Sequence, residues 1–194
     1  SAILIGPDGK IIGIYDKTHP APWERRDNGG WAEVGHRADV FETALGNIGM
    51  IICYDGDFPE LSRLLAVKGA DIIVRASAFQ RSYDIWYITN SARAYDNHVY
   101  VVASNIVGAD VCGNYGFGHS MIVNPIAWRL AQARGTEEII AAKLDPDPLR
   151  YVTWGSKSPQ KFDHLEDRNL VLYEDILKET RARFEIGKRS SKKE

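Results

Sequence analysis

Residues 51–60 read Ile51-Ile52-Cys53-Tyr54-Asp55-Gly56-Asp57-Phe58-Pro59-Glu60 and carry the strongest local signal in the chain. The apolar run before the cysteine predicts a buried strand over 48–52, placed centrally in a sheet. A sharp turn and then a helix over 58–69 are predicted to follow, because Asp57 and Glu60 have the spacing of a capping box. We therefore expect a strand–turn–helix elbow with Cys53 at its bend.

Strands and helices alternate on both sides of this elbow. Strands are predicted over 38–42, 71–75 and 99–104, with a helix over 83–97 before the last of them. This β-α-β-α-β order favours a layered α/β domain. The turn signal Pro7-Asp8-Gly9 predicts a hairpin of strands 1–6 and 10–15, followed by a long polar connection over 17–37. The remaining predicted elements are strands over 119–124, 127–132 and 137–143 and an amphipathic helix over 172–184.

Composition excludes several classes of protein. The 194 residues are 44% hydrophobic and 26% charged, and 24 Lys and Arg against 26 Asp and Glu give a net charge of −2. These values fit one globular domain, expected over 1–186 with a disordered charged tail over 187–194. They argue against nucleic-acid and membrane partners, since a basic stripe and a long apolar run are lacking. Two cysteines cannot form a disulfide framework, which favours a reducing, cytoplasmic setting.

Two segments contain residues suited to catalysis. At a strand–turn–helix elbow, backbone N–H groups and the positive end of the helix can stabilise a Cys53 thiolate and a developing oxyanion. The alternative is a buried cysteine acting as a small hydrophobic residue. The second segment is Tyr15-Asp16-Lys17-Thr18-His19-Pro20. Lysines are ordinarily solvated surface charges, but the Lys17 ammonium near a reacting carbonyl can stabilise a tetrahedral intermediate.

Together these segments resemble the nitrilase superfamily of carbon–nitrogen hydrolases. That family has its lysine in a Tyr-x-Lys-x-His segment and its cysteine in an Ile-Cys-Tyr/Trp-Asp/Glu-x-x-Phe/Tyr-Pro-Glu segment, and the resemblance continues through 69–74, 99–105, 116–120 and 164–168. It implies an α-β-β-α sandwich, a dimer or larger homo-oligomer, and a Glu-Lys-Cys triad that needs no metal and no organic cofactor. Cys53-Tyr54-Asp55-Gly56 is most similar to the aliphatic amidase and formamidase branch.

The resemblance also implies a mechanism for a small amide substrate. Cys53 would attack the carbonyl and expel ammonia, and water would then hydrolyse the thioester. A glutamate would move the protons, while the Lys17 ammonium and the Tyr54 backbone N–H would hold the oxyanion. The family has this glutamate well upstream of its lysine, and residues 1–16 contain none. We therefore expect that residues before Ser1 are absent from this chain, the alternative being an inactive remnant.

Other site residues follow from the resemblance or from position. Glu24, in Pro22-Trp23-Glu24-Arg25, is the candidate for a second glutamate that orients the substrate or the general base, ahead of Glu33. Residues just past the 71–75 strand are expected to face the substrate, because the carboxyl ends of strands open onto sites in layered α/β folds. These are Arg75, Ser77 and Phe79. His119 is interpreted as hydrogen-bonded scaffold and Cys112 as incidental.

Rival interpretations stay open at this stage. N-carbamoyl compounds or nitriles could replace amides as substrates. A thiol hydrolase could activate Cys53 through His19, His98 or His119. A truncated sandwich could serve only as a binding or assembly module. The aromatic residues of the 83–97 helix are expected to pack in the core, with a subunit interface as the second hypothesis.

Overall fold

A computed structural model of the chain describes residues 1–147 and 162–180. It begins with an antiparallel hairpin of β1 (Ala2–Ile5) and β2 (Ile11–Tyr15). Gly9 has a φ of 78° in the connecting turn, a conformation that glycine adopts without steric cost. The predicted hairpin is thus confirmed. Residues 187–194, expected to form a disordered tail, lie outside the described residues.

The central element is a six-stranded mixed sheet with the order β10-β9-β6-β5-β4-β3. Strands β4, β5 and β6 are parallel, and the pairs β3–β4, β6–β9 and β9–β10 are antiparallel. The strands are β3 (Val40–Thr43), β4 (Gly46–Ile52), β5 (Ile72–Ser77), β6 (Tyr100–Asn105), β9 (Met121–Val123) and β10 (Arg129–Gln132). Between β6 and β9 the chain forms a small separate ribbon of β7 (Val107–Ala109) and β8 (Tyr115–Phe117).

Two α-helices connect the parallel strands, α1 (Pro59–Val67) after β4 and α2 (Tyr83–Asn97) after β5. They pack on one face of the sheet around Leu65, Ile73 and Trp86, all of which are fully buried. The hairpin covers part of the other face, where Tyr15 packs with Met50 and their neighbours. The molecule therefore has a helical layer, a central sheet and a second β layer, which confirms the predicted α/β class.

Three local predictions were wrong. Residues 137–143 form no strand, and Ile139 is almost fully exposed, because this stretch has no neighbouring strand to pair with among the described residues. Residues Leu170–Leu177 form an exposed 3-10 helix where an amphipathic α-helix over 172–184 was expected, and residues 181–184 lie outside the described part. Asp57 does not cap α1: Phe58 occupies the N-cap, without a side-chain hydrogen bond, and Asp57 belongs to the preceding turn.

The sheet contains two parallel connections, from β4 to β5 and from β5 to β6, and the first of them places the candidate site. Strands β4 and β5 are parallel, so their carboxyl-terminal ends lie side by side. Ile52 and Ala76 are register partners there. Cys53 follows the first strand, and Ser77 ends the second. Within the described ranges, no helix is both long and apolar enough to cross a bilayer.

Candidate active site

Cys53 lies at the bend between β4 and a short 3-10 turn, Cys53–Asp57, that leads into α1. Its φ is 49°, in the left-handed region that residues with a side chain rarely adopt. Such a conformation costs about 1–3 kcal/mol and persists only where the surrounding structure enforces it. The strand–turn–helix elbow predicted for Cys53 is therefore present, and it is held under strain.

Arg75 enforces this conformation from below. Its Nε and Nη2 atoms donate hydrogen bonds of 2.9 and 2.6 Å to the backbone carbonyl of Cys53. Nη1 donates to Thr89 Oγ1 and to Asn90 Oδ1, both at 2.9 Å, which ties the guanidinium to α2. The side chain is fully buried. Arg75 thus connects the bend at Cys53 to the helical layer.

Gly56 makes room for that guanidinium. A Cβ atom at this position would lie 2.1 Å from Arg75 Cζ, which no real contact allows. Asp57, next in the chain, accepts from Arg81, and its second oxygen lies 3.6 Å from Arg75 Nη2. The turn after Cys53 is therefore shaped by the arginine beneath it.

Lys17 and Glu24 form an ion pair beside the elbow, with 2.5 Å between Nζ and Oε2. The same carboxylate oxygen accepts from the Ala21 backbone N–H at 2.6 Å. Both side chains are largely buried, with 14% and 22% of their surface exposed, so water screens the pair less than it would a surface pair. They line a cleft of about 1050 Å³, which the long connection over 17–37 borders.

Asp55 joins the Lys17 segment to the Cys53 elbow. Its carboxylate is fully buried. Oδ2 accepts from Tyr15 Oη and from the Ile52 backbone N–H, both at 2.8 Å. Oδ1 accepts from the His19 backbone N–H at 2.9 Å and lies 3.2 Å from His19 Nδ1. Sequence reasoning missed this residue, because its partners lie up to 40 positions away.

Opposing effects act on the Cys53 thiol. Burial raises its pKa and is the largest effect. The positive charges of Lys17 and Arg75 lower the pKa, as does a backbone hydrogen bond from Ala78, and the negative charge of Glu24 raises it. The net pKa is raised, so the thiol needs a base to accept its proton near neutral pH. The same effects show that Lys17, Glu24 and Cys53 are brought within electrostatic reach of one another.

The other predicted site residues lie around the elbow at different depths. Arg75 and Phe79 are buried behind it, and the Phe79 ring packs against Trp86 with 5.5 Å between centroids. Ser77 is partly buried, and its hydroxyl oxygen has no hydrogen-bond partner among the described residues. The Tyr54 ring packs edge-on against Phe58 at 5.1 Å.

The rival residues have other partners. His19 stacks on Phe58 and contacts Asp55, His98 accepts from the His164 backbone N–H at 2.9 Å, and His119 contacts Gln132 at 3.0 Å. These contacts do not support a Cys–His pair at Cys53. Glu33 is exposed and pairs with Arg26 at 2.6 Å. Cys112 is exposed, and in the described ranges no group of three or more His, Cys, Asp and Glu side chains is placed to hold a metal.

Comparison with known protein families shows to which family the chain belongs. Residues 1–152 match the family model described as carbon–nitrogen hydrolase, which is more than half of the chain. The chain belongs to the carbon–nitrogen hydrolase family. This confirms the resemblance to the nitrilase superfamily, and it assigns the Lys17 segment and the Cys53 elbow to the matched region.

Individual relatives of this carbon–nitrogen hydrolase agree with the assignment. A probable nitrilase of Schizosaccharomyces pombe is 34% identical over 183 residues, which are 91% of this chain and 62% of the relative. A formamidase of a Bradyrhizobium strain is 36% identical over 169 residues, 80% of this chain and 46% of that protein. The crystal structure of a carbon–nitrogen hydrolase from Helicobacter pylori superposes with a TM-score of 0.73 at 27% identity, covering 91% of this chain and 64% of that one. The chain thus spans about half to two thirds of the length of these relatives.

Proposed function

We propose that this protein hydrolyses the carbon–nitrogen bond of small amides through a thioester on Cys53. The observation that carries the proposal is the strained bend at Cys53, whose thiol is influenced by the charges of the largely buried Lys17–Glu24 pair. A nucleophile at a strained turn, next to a fixed cation and backbone N–H groups, is an arrangement suited to acyl transfer. Family membership and the relative named formamidase add support.

The proposed reaction has two halves. The Cys53 sulfur, as its proton leaves, attacks the amide carbonyl, and the tetrahedral oxyanion is held by the Lys17 ammonium and the Tyr54 backbone N–H. The carbon–nitrogen bond then breaks, and the leaving nitrogen takes the proton and departs as ammonia. Water adds to the thioester, releases the carboxylic acid and restores the thiol. Each turnover consumes one amide and one water, and it requires no redox partner.

A general base must accept the thiol proton, because a thiol is mostly protonated near neutral pH and burial raises its pKa further. Glu24 is the carboxylate joined to Lys17. We assign it the role of fixing the ammonium toward the oxyanion and of orienting the general base. Residues 1–16 contain no glutamate, so the triad glutamate that the family pattern has upstream of the lysine is not among them.

We also propose a homo-oligomer in a reducing, cytoplasmic setting, with no nucleic-acid or membrane partner. The outer face of the helical layer exposes Leu64 and Val67 on α1 and Ile85 and Ile88 on α2, each 38% to 64% exposed. Exposed apolar side chains of this size are a feature of subunit interfaces. Both cysteines are free, as a reducing setting requires.

The test is intact-mass spectrometry of the purified protein during brief exposure to formamide, acetamide and propionamide, with ammonia measured in parallel. N-carbamoyl amino acids and short nitriles are the competing substrates. We expect an acyl adduct with the amides that is lost in Cys53→Ala and kept in the matched control Cys112→Ser. Turnover of only the competing substrates would replace the amide assignment. Neither adduct nor ammonia with any substrate would leave a binding module and overturn the proposal.

A further inference from the structure

The Asp55 carboxylate lies at the junction between the two halves of the candidate site. On the Lys17 side, four hydrogen-bond donors of the described residues lie 2.8 to 3.3 Å from its oxygens. They are Tyr15 Oη, Thr18 Oγ1, the His19 backbone N–H and, in one tautomer, His19 Nδ1. On the Cys53 side the donor is the Ile52 backbone N–H at 2.8 Å. The carboxylate thus contacts Tyr15, Thr18 and His19, which lie on both sides of Lys17 in the chain, and the residue directly before Cys53.

This contact set differs from that of an ordinary structural carboxylate. A fully buried charge is costly unless several donors compensate it, and here all of them come from the two segments that hold Lys17 and Cys53. The hairpin that precedes Lys17 otherwise packs on the sheet through apolar side chains such as Ala2 and Leu4, which fix its position less strictly than directed hydrogen bonds do. The polar junction therefore sets the register between the two segments.

We propose that Asp55 is a positioning residue that fixes the Lys17 ammonium relative to the Cys53 thiol. The inference rests on the proposed function, since it assigns Asp55 a role in the same site. It concerns geometry and charge, and not contact with substrate. Loss of the carboxylate then weakens the influence of Lys17 on the thiol, although the lysine itself is unchanged.

The direction in which the thiol pKa changes on removal of the Asp55 carboxylate distinguishes this positioning role from two other roles. Lys17 lowers the thiol pKa. If Asp55 positions Lys17, removal of the carboxylate raises the thiol pKa. If Asp55 acts only through its own negative charge, removal lowers the thiol pKa, because a nearby anion disfavours the thiolate. A purely structural role leaves the thiol pKa unchanged in the folded variant.

The experiment measures the rate of Cys53 alkylation by iodoacetamide against pH in a Cys112→Ser background, so that only one thiol reacts. We expect Asp55→Asn and Lys17→Met each to slow alkylation at pH 7.5 about 3- to 10-fold through a higher thiol pKa. The double variant should be no slower than Lys17→Met alone, because the two changes act through one interaction. Asp71→Asn is the matched control: its carboxylate accepts from the Asn47 backbone N–H, away from the site.

Tyr15→Phe tests the same role if Asp55→Asn does not fold. It removes the hydrogen bond to the carboxylate together with those to the Thr18 hydroxyl and backbone N–H, and no charge, so a slower alkylation reports a displaced Lys17 segment. A faster or unchanged rate in both Asp55→Asn and Tyr15→Phe, or fully additive effects of Asp55→Asn and Lys17→Met, would overturn the proposal. Because alkylation needs no turnover, this result is independent of whether the protein hydrolyses amides.

Discussion

The guanidinium carbon of Arg75 lies 2.1 Å from the point that a Cβ atom on Gly56 would occupy. The same guanidinium holds the carbonyl of Cys53 through two hydrogen bonds. The absence of a side chain at residue 56 is therefore a condition for the bend that presents the candidate nucleophile. This relationship links a glycine in the turn to the backbone conformation of the cysteine three residues before it.

We predict that Gly56→Ala destabilises the protein by about 2–4 kcal/mol, because the new methyl group displaces Arg75 and breaks its buried hydrogen bonds. Urea unfolding measures the change. Gly6→Ala is the control, since the atoms nearest to its Cβ would belong to the exposed side chains of Asp8 and Ile12. The double variant Gly56→Ala/Arg75→Ala should be less destabilised than the sum of the two single variants. Additive effects would show that the two residues do not interact in this way.

Glu24→Gln should speed alkylation of Cys53 at pH 7.5 and slow amide turnover. The Glu24 charge raises the pKa of the thiol, so its removal lowers the pKa and increases the thiolate fraction. The glutamine amide oxygen can still accept from Lys17 and keep the ammonium in place, whereas turnover falls because the general base loses the carboxylate that orients it. Stopped-flow alkylation and ammonia release measure the two effects. Glu33→Gln, an exposed change paired only with Arg26, should alter neither. Slower alkylation in Glu24→Gln would contradict the sign.

We predict that segment 162–168 loosens as the pH falls from 7.5 to 5.5. Burial and the neighbouring His164 lower the pKa of His98, and its Nε2 accepts from the His164 backbone N–H. The charge of Asp163 raises the pKa of His98, and the charge of Arg63 lowers it further. A histidine whose pKa is lowered by folding stabilises the folded state above its ordinary pKa of about 6.5, and that stabilisation is lost as the pH falls through the folded-state value.

Hydrogen-exchange protection factors for the amides of 162–168 at the two pH values measure this loosening. His98→Asn is the control. Asparagine tolerates the left-handed φ of 53° at this position and carries no titrating group. The pH dependence of protection should disappear in this variant. A dependence that persists there would place the titrating group elsewhere.

The proposed oligomer predicts that Val67→Glu/Ile88→Glu raises the dissociation constant of the assembly at least about 10-fold, a cost of about 1.4 kcal/mol. Both side chains are exposed, Val67 by 52% and Ile88 by 64%. Light scattering after size exclusion at several concentrations measures the mass. Val111→Glu, fully exposed in the loop between β7 and β8, is the matched control. A monomeric mass for the unmodified protein at high concentration would contradict the oligomer itself.

Local patterns in the sequence predicted much of the architecture. The α2 helix has the predicted bounds 83–97, and the strands of the central sheet lie within two residues of most predicted limits, because apolar periodicity reports burial directly. The ribbon of β7 and β8 was missed, since strands of three residues in a glycine-rich loop carry no period. The strand prediction for 137–143 was wrong because apolar residues alone do not form a strand without a partner strand to pair with.

The candidate site was predictable where its residues belong to short motifs. Cys53, Lys17 and Glu24 stand in such motifs, and the structure brings them within electrostatic reach. Arg75 was predicted from its position near the end of a strand. Its complete burial was not predicted, because it depends on the helix that packs over the side chain. Asp55 was missed because its role depends on hydrogen bonds to residues far away in the chain, which no local pattern encodes.

The hydrogen bond between Tyr15 and Asp55 also bears on the order of events in folding. It spans 40 residues, so it forms only after the amino-terminal hairpin has docked on the sheet. Contacts of long sequence separation form late, since the intervening chain must first be closed into a loop. A nascent or partly folded chain therefore carries Cys53 as an unassisted thiol. In the proposed mechanism, Cys53 therefore becomes reactive only once the tertiary structure is complete.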